Sequence, residues 1–369
     1  MTGEKEKYFV MEEKIENIAD EYRKKGYILG ENCVIEPGTL IEGESVVIGN
    51  DVHIGKGCVI RSKEICIGDN CLIFDEVFIH TAKKIAIGER GKISRNCTFR
   101  GSELLFGKEL WCNEGVDIGG GGCWQNTAIL KVGNFVHIGK SAMINICRPV
   151  YIGNKTGIGI ESMIFTHSAG NGQSVLDGYK HIEREVWIGN HVSLYTRAFV
   201  TPGTYIEDGV TVGAMSYVGG RLTKGLYVGI PAKLKKTFME SGREEKHQIL
   251  CEMLLEIFDG KASVYSNETL LNKQYARAIL INENFKNENA YEQIKKVYDE
   301  FIIVNENSEF QDDQICVFDI AREQIYGTQT TFSEEIRDCL RRNGILLDFG
   351  SYQPKKLDYN LLKMRGVER

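Results

Sequence analysis

One histidine stands in a setting that suits acid–base chemistry. His167 lies between Thr166 and Ser168, where a regular apolar pattern gives way to a polar run that continues to about Glu185. Histidine accepts and returns a proton near neutral pH, so it can act as general base for an attacking hydroxyl or amine. Chemistry is commonly placed on loops that a rigid scaffold positions. We therefore take His167 as the candidate catalytic base and His181, in the same polar run, as the second choice.

The positions of two other histidines and of the cysteines indicate structural roles. His53 and His137 occupy the last position of a six-residue repeat, which favours surface residues of a coil. A zinc site of a hydrolase would need three converging histidines, commonly with a His-x-x-x-x-His element that this sequence lacks, so no metal is expected. The 11 cysteines show no paired spacing, which favours reduced cysteines. Four fall where the repeat needs a small buried side chain: Cys33, Cys58, Cys71 and Cys97.

A glycine-rich stretch, Gly119–Gly122, is followed by Cys123 and Trp124. It could be mistaken for a phosphate-binding loop. However, no Lys-Ser or Lys-Thr follows it, and no helical pattern succeeds it. The sequence therefore predicts a corner loop between coils.

The scaffold that positions these residues is indicated by 40 glycines against 5 prolines in 369 residues. Between Leu29 and about Val228, aliphatic residues recur every six positions. Six residues make one strand and a corner, and three such units make one triangular coil. A Gly, Asn or Asp between the aliphatic residue and the small residue four positions later tolerates the left-handed φ of a corner. The coil starts lie nineteen or twenty residues apart: Leu29, Ile48, Ile67, Ile87 and Phe106.

This period predicts a parallel β-helix with stacked aliphatic residues in its core. A β-sandwich would instead alternate with period two. The pattern divides the chain into three parts. Residues 1–27 are a helical cap, residues 28–236 are the β-helix with an inserted loop at 166–186, and residues 237–369 are a small α/β accessory domain. Within the last part we expect three helices and two short strands: Glu244–Phe258, Ala290–Phe301 and Ser333–Asn343, then Val317–Ile320 and Ile345–Phe349.

Composition limits the function classes. The formal net charge is −6, which argues against nucleic-acid binding and against anionic membrane surfaces. Apolar runs are interrupted every few residues by glycine or polar residues, so no membrane insertion is expected. The N-terminal residues lack the apolar core of a secretory signal, and we expect a cytoplasmic location.

The Ile-Gly-x-x-x-x repetition resembles the hexapeptide-repeat acyltransferases, and the resemblance implies a left-handed parallel β-helix. The match continues at Phe165-Thr166-His167-Ser168. The later segments occur in the order seen in maltose, galactoside and xenobiotic acetyltransferases: Val186-Trp187-Ile188-Gly189, Thr201-Pro202-Gly203, Val212-Gly213-Ala214, Thr223-Lys224 and Val228 to Lys233. The chain departs from these relatives in two longer intervals, Trp187 to Pro202 and Ala214 to Lys224.

The resemblance implies that acetyl-CoA is the co-substrate and His167 the general base. It also implies that Trp187 lines the pantetheine arm and that Ala214 lies beside the coenzyme A groove. The nucleotide phosphates would be approached by lysines: Lys224, Lys233 and Lys235. Members of this family generally form trimers with active sites between neighbouring subunits, so a homotrimer is expected.

The acceptor side is assigned by position. Asn145 lies about one coil before Phe165 and is expected to face the acceptor, together with Ser168 at the start of the inserted loop. The expected reaction is acetylation of a sugar hydroxyl, with a sugar or nucleotide sugar as acceptor, in polysaccharide or surface-glycan biosynthesis. Two alternatives remain open: N-acetylation of an amino sugar, and a non-catalytic β-helix scaffold.

Overall fold

A computed structural model describes residues 16–168, 174–255, 262–265, 268–273, 276–281, 301–305, 316–320, 322–350, 352–357 and 359–360. The chain divides into two compact units. The first takes in the chain up to Phe238 together with Leu357 and Tyr359, and the second runs from Met239 to Lys356. Nothing in the sequence pattern had indicated that Leu357 and Tyr359 return to the first unit.

The first unit is a parallel β-solenoid, as the sequence predicts. Its strands stack in parallel on three faces, and each coil contributes to every face. The repeat found in the sequence is the register of the structure: Leu29 pairs with Ile48, Ile48 with Ile67, Ile67 with Ile87, and Ile87 with Phe106. The predicted stacking of hexapeptide repeats is therefore confirmed.

Each face is defined by its strands. The first face contains Ile28–Leu29, Ser45–Ile48, Glu64–Ile67, Ile129–Val132, Val150–Ile152, Val186–Ile188, Tyr205–Ile206 and Arg221–Leu222. The second contains Val34–Ile35, His53–Ile54, Leu72–Ile73, Lys92–Ile93, Trp111–Cys112, His137–Ile138, Gly157–Ile158, Ser193–Leu194, Val210–Val212, Gly225–Gly229 and Ala232–Lys236. The third contains Leu40–Glu42, Val59–Arg61, Asp117–Gly119, Met143–Asn145, Met163–Ile164, Phe199–Val200 and Tyr217–Val218. Two long strands run from the third face into the first: Phe78–Ile87 and Thr98–Phe106.

The core is one continuous column of inward side chains, mostly isoleucine, valine and leucine. The four cysteines at the small position of the repeat are buried and free, as predicted: Cys33, Cys58, Cys71 and Cys97. Burial raises the pKa of the Cys58 and Cys71 thiols to about 12. These thiols therefore stay protonated at physiological pH, which suits inert packing residues.

Glycine and the corner residues have separate roles in the repeat. The left-handed φ lies directly before the small buried residue, for example at Asn32 (54°), Asp51 (54°) and Arg90 (58°). The glycine that follows the inward aliphatic residue is needed instead for close stacking. A Cβ built on Gly153 would lie 2.6 Å from the carbonyl carbon of Gly189 in the next coil. The expectation that glycine serves corner φ therefore needs correction at these positions.

The N-terminal end of the solenoid is covered by a short helix, Ala19–Lys24. Tyr22 of this helix is buried, donates a hydrogen bond from its hydroxyl to the carbonyl of Thr39 (2.8 Å) and accepts one from the amide of Ile41 (3.1 Å). Residues 1–15 of the expected cap lie outside the described residues. The described part packs on the first coils, as a cap should.

The second unit contains a seven-stranded mixed sheet. Its strands are Ala262–Tyr265, Glu268–Lys273, Ala276–Ile281, Phe301–Asn305, Cys316–Asp319, Gln324–Tyr326 and Asp348–Phe349. Among the described residues, two helices accompany the sheet, Arg243–Leu255 and Thr331–Arg342, and the second begins with a capping box between Thr330 and Ser333.

These elements test the predictions made for the C-terminal part. The helix predicted over Ser333–Asn343 and the strand predicted over Val317–Ile320 are confirmed within two residues. The helix predicted from Glu244 is present as Arg243–Leu255, with residues 256–258 outside the described part.

The helix predicted over Ala290–Phe301 is tested only at its end. Residues 290–300 lie outside the described residues, and Phe301 itself begins a strand. The last predicted strand is shorter, Asp348–Phe349, because Ile345 donates a backbone hydrogen bond back to Leu340 at the end of the preceding helix. Among the residues that the structure describes, no helix has the length and apolar character to cross a membrane.

Candidate active site

His167 lies where the third face of the solenoid opens into the inserted loop. It follows the strand Met163–Ile164 and forms an isolated antiparallel bridge with Glu183 on the returning side of the loop. The amide of Ser168 donates to the carbonyl of Ile182 (2.8 Å). The base of the loop is thus joined on both sides. Residues 169–173 of this loop lie outside the described part of the chain.

The side chain of His167 is oriented by Asn145. Nδ1 of His167 lies 2.8 Å from Oδ1 of Asn145, which is 2% exposed. The hydroxyl of Thr166, fully buried, donates to the same oxygen (2.8 Å). The third-face strand Met143–Asn145 holds Asn145, so the rigid scaffold fixes the histidine ring.

The hydrogen bonds of Asn145 settle which way its carboxamide points. Its Nδ2 donates to the carbonyl oxygens of Gly119 (3.1 Å) and Gly121 (3.4 Å), which can only accept. Oδ1 therefore faces His167. Because this oxygen is an acceptor, the neutral ring carries its proton on Nδ1, and Nε2 is left with its lone pair. This is the tautomer that a general base requires.

The glycine-rich stretch lies directly at this site, which the sequence did not indicate. A Cβ built on Gly121 would stand 3.5 Å from Nε2 of His167. A Cβ on Gly120 would lie 2.7 Å from Nδ2 of Asn145, and Gly120 has a φ of +83°. Glycine is thus required where the loop closes over the carboxamide. The sequence signal that could have found this relation is the placement of the stretch one coil before Asn145.

Arg148 joins the inserted loop to the glycine-rich loop. It forms an ion pair with Glu183, and its Nη1 donates to Oε1 of Gln125 (2.8 Å) and Oγ1 of Thr127 (3.1 Å). These contacts tie both loops to the strand end that also carries Asn145. The two loops therefore form one wall beside His167.

The remaining acceptor-side candidates are open to solvent. Ser168 is exposed, and its hydroxyl accepts from the amide of Ile182 (3.3 Å). His181 is exposed in the returning part of the loop. Asn145, expected to face the acceptor, is instead buried behind His167. The structure brings Asn145, His167 and Ser168 together.

The predicted coenzyme A residues lie on other parts of the solenoid. Trp187 is on the first face, 41% exposed, and stacks on Tyr151 with ring centroids 3.9 Å apart. Ala214 is exposed at the corner after the second-face strand Val210–Val212. These two positions are therefore not on one face.

The three lysines predicted to approach the coenzyme A phosphates lie close together in the sequence, at the C-terminal end of the solenoid. Lys233 and Lys235 are exposed on Ala232–Lys236, which pairs antiparallel with Gly225–Gly229. Lys224 is exposed directly before that hairpin. The last coil thus carries a basic surface on a protein whose net charge is negative. Within the described part of the chain, no group of three or more His, Cys, Asp or Glu side chains could hold a metal ion.

Comparison with known proteins gives structural matches. No protein-family model matches the chain. Polysialic acid O-acetyltransferase OatWY is 22% identical over 58% of this chain and 90% of its own, with a TM-score of 0.25. AntD, an N-acyltransferase from Bacillus cereus solved with dTDP and 3-hydroxybutyryl-CoA, is 16% identical over 64% and 96%, with a TM-score of 0.29. UDP-N-acetylglucosamine acyltransferase from Campylobacter jejuni is 16% identical over 63% and 81%, with a TM-score of 0.36. By their names all three are acyltransferases. The description of this chain as a hexapeptide-repeat β-solenoid rests on its own strand register.

Proposed function

We propose that this protein transfers an acetyl group from acetyl-CoA to a hydroxyl of a sugar or nucleotide sugar, with His167 as general base. The observation that carries the proposal is the 2.8 Å contact between Nδ1 of His167 and the buried Oδ1 of Asn145. It favours the tautomer with the proton on Nδ1 and leaves Nε2 on the side of Gly121.

The transfer runs in one balanced sequence. Nε2 of His167 removes the proton from the acceptor hydroxyl as its oxygen attacks the thioester carbonyl. The tetrahedral intermediate collapses with cleavage of the carbon–sulfur bond. The departing coenzyme A thiolate takes the proton from the imidazolium, which returns the ring to its starting form. Asn145 stabilises the imidazolium through the hydrogen bond from Nδ1.

The donor side of the proposal depends on the exposed positions around the last coils. Lys224, Lys233 and Lys235 offer ammonium groups for the phosphates of the nucleotide, and Trp187 offers an exposed ring edge for the pantetheine arm. A homotrimer, in which a neighbouring subunit completes the donor groove, would bring these separate surfaces to one site. We also propose a cytoplasmic location, where acetyl-CoA is available.

The acceptor side is formed by the inserted loop and the glycine-rich loop. Ser168 presents a hydroxyl beside His167, and a sugar ring carries several hydroxyls that could be oriented for attack. An amino sugar would be acylated with the same base. Analysis of the product therefore has to show whether an oxygen or a nitrogen carries the acyl group. We also propose a role in polysaccharide or surface-glycan synthesis.

The proposal is tested in two steps. Calorimetric titration with acetyl-CoA should give saturable binding near one site per chain for the wild type and for His167→Asn. Thiol release is then followed with a panel of sugar and nucleotide-sugar acceptors. We expect His167→Asn to lower kcat by about 10²- to 10⁴-fold at unchanged acetyl-CoA affinity.

The matched control is His181→Asn, which changes the other histidine of the same loop. It should retain most of the turnover. Absence of acetyl-CoA binding by the wild type, or full turnover by His167→Asn, would contradict the proposal.

A further inference from the structure

The glycine-rich loop interrupts the solenoid with an exposed and uncharged surface. Successive coils pair Phe99 with Ile118 and Ile118 with Ile144, so the spacing rises from 19 to 26 residues at this point. No residue from 118 to 130 carries a charge, although 26% of the chain is charged. Within this loop Trp124 is 55% exposed. The side chains of the loop therefore offer a ligand polar and aromatic groups without charge, which suits a neutral polar ligand.

The loop extends from His167 along the third face. Gly121 lies beside Nε2 of His167, whereas the ring of Trp124 lies edge-on to His80, with centroids 4.8 Å apart. His80 pairs with Arg100 in the next coil. Gly119 and then Asn145 follow in the two coils after that. Three coil spacings correspond to roughly 14 Å, which several linked sugar rings would span and a single ring would not.

Hydrogen bonds hold the loop in place at both ends. Nδ2 of Asn145 binds the carbonyls of Gly119 and Gly121 at the first end. At the other end the hydroxyl of Thr127 donates to the carbonyl of Cys147 (3.0 Å), and Arg148 donates to Gln125 and Thr127. The loop is therefore a preformed surface. Because its backbone is already held in place, a ligand would lose little binding free energy to ordering it.

We propose that this loop is an acceptor subsite that binds a neutral part of an oligosaccharide, with Trp124 stacking against a sugar ring beyond the one that presents its hydroxyl to His167. Aromatic side chains bind the apolar faces of sugar rings, and the exposed Gln125 and Asn126 offer amide donors and acceptors for ring hydroxyls. The inference deepens the proposed function, on which it rests, because it makes the acceptor an oligosaccharide rather than a monosaccharide.

The test measures glycan binding without coenzyme A, so its outcome is independent of acyl transfer. The full-length protein is applied to an array of neutral and sialylated glycans from monosaccharides to hexasaccharides. Affinities for the bound neutral glycans are then measured by calorimetry. We expect affinity to rise with chain length, and Trp124→Ala to weaken binding of the longer neutral glycans at least about tenfold while Trp124→Phe retains most of it.

Tyr205→Ala is the matched control, because Tyr205 is also an exposed aromatic residue (42%) but lies on the first face. It should leave glycan binding unchanged. The inference is overturned if no neutral oligosaccharide binds, or if Trp124→Ala binds as the wild type does. It is also overturned if Trp124→Ala changes only the sedimentation of the protein, which would assign the loop to a contact between subunits. Acetyl-CoA titration of the same variants reports separately on the proposed function.

Discussion

At the scale of single residues, the side chain of Asn145 links three parts of the candidate site. Its Oδ1 receives hydrogen bonds from His167 and Thr166, and its Nδ2 binds the carbonyls of Gly119 and Gly121. A carboxylate could not make the second pair of contacts, because it has no hydrogen to donate. Asparagine is thus the residue type that both orients the ring of His167 and closes the glycine-rich loop.

We predict that Asn145→Ala lowers kcat at least about tenfold with little change in the KM for acetyl-CoA, since it removes the acceptor for Nδ1 of His167. It should also cost about 1–3 kcal/mol of unfolding free energy, because buried polar partners lose their bonds. Steady-state kinetics and urea unfolding measure the two effects.

Thr166→Val provides the matched control. It removes the hydroxyl hydrogen bond of Thr166 to Oδ1 of Asn145 and should cost comparable stability, but it leaves the contact to His167. A merely structural role of Asn145 would make both variants lose turnover to the same degree, and that result would contradict the assignment.

At the scale of the elements, the coil depends on how closely successive turns approach. The glycine after each inward aliphatic residue lies against the backbone of the next coil, as Gly153 does against Gly189. Strand separation in a sheet is fixed near 4.8 Å by the hydrogen bonds between strands, so the coils cannot move apart to admit a side chain. The repeat therefore requires glycine at such positions, because the neighbouring coil leaves no space for a Cβ atom.

We predict that Gly153→Ala destabilises the solenoid by about 1–3 kcal/mol, because its methyl group would lie 2.6 Å from the carbonyl carbon and oxygen of Gly189. Gly157→Ala, one strand further along, is the control, since nothing lies within 4 Å of a Cβ built there. It should be neutral or slightly stabilising. Urea unfolding followed by circular dichroism would compare the two, and equal losses of stability would refute the argument from close stacking.

At the scale of the whole molecule, the first unit is completed by residues far away in sequence. Tyr359 is buried, and its ring stacks on His53 (3.5 Å between centroids) and on Phe74 (4.7 Å). Its hydroxyl donates to Oδ1 of Asp75 (3.0 Å). Burial raises the pKa of this hydroxyl, and the nearby carboxylate of Asp75 raises it further. The ring therefore stays neutral where it covers the second face.

We predict that Tyr359→Ala destabilises the first unit by about 3 kcal/mol through loss of the buried ring. Tyr359→Phe keeps the stacking and loses only the hydrogen bond to Asp75, at a cost of about 1 kcal/mol. Thermal unfolding of the two variants beside the wild type measures the difference. Identical melting temperatures for all three proteins would show that the C-terminal residues do not stabilise the solenoid.

The sequence by itself determined the solenoid, because its register is local. The inward residue of every coil recurs at a fixed interval, so Leu29, Ile48, Ile67, Ile87 and Phe106 could be aligned without any structure. It also indicated His167 from the polar break in that pattern. The winding direction was implied by family resemblance, since six-residue spacing is the same for either hand.

Only the tertiary structure decided the partners of His167 and the ends of the fold. The spacing placed Asn145 one coil before Phe165, but its hydrogen bond to His167 and the position of the glycine-rich loop follow only from the stacking of successive coils. Arg148 joins the two loops beside this site. Tyr359 docks more than 280 residues after Asp75, through ring stacking and one hydrogen bond that no periodic pattern announces. Contacts between repeats produce a regular spacing of residue types in the sequence. Contacts between distant segments produce no such spacing, because they depend on how those segments pack.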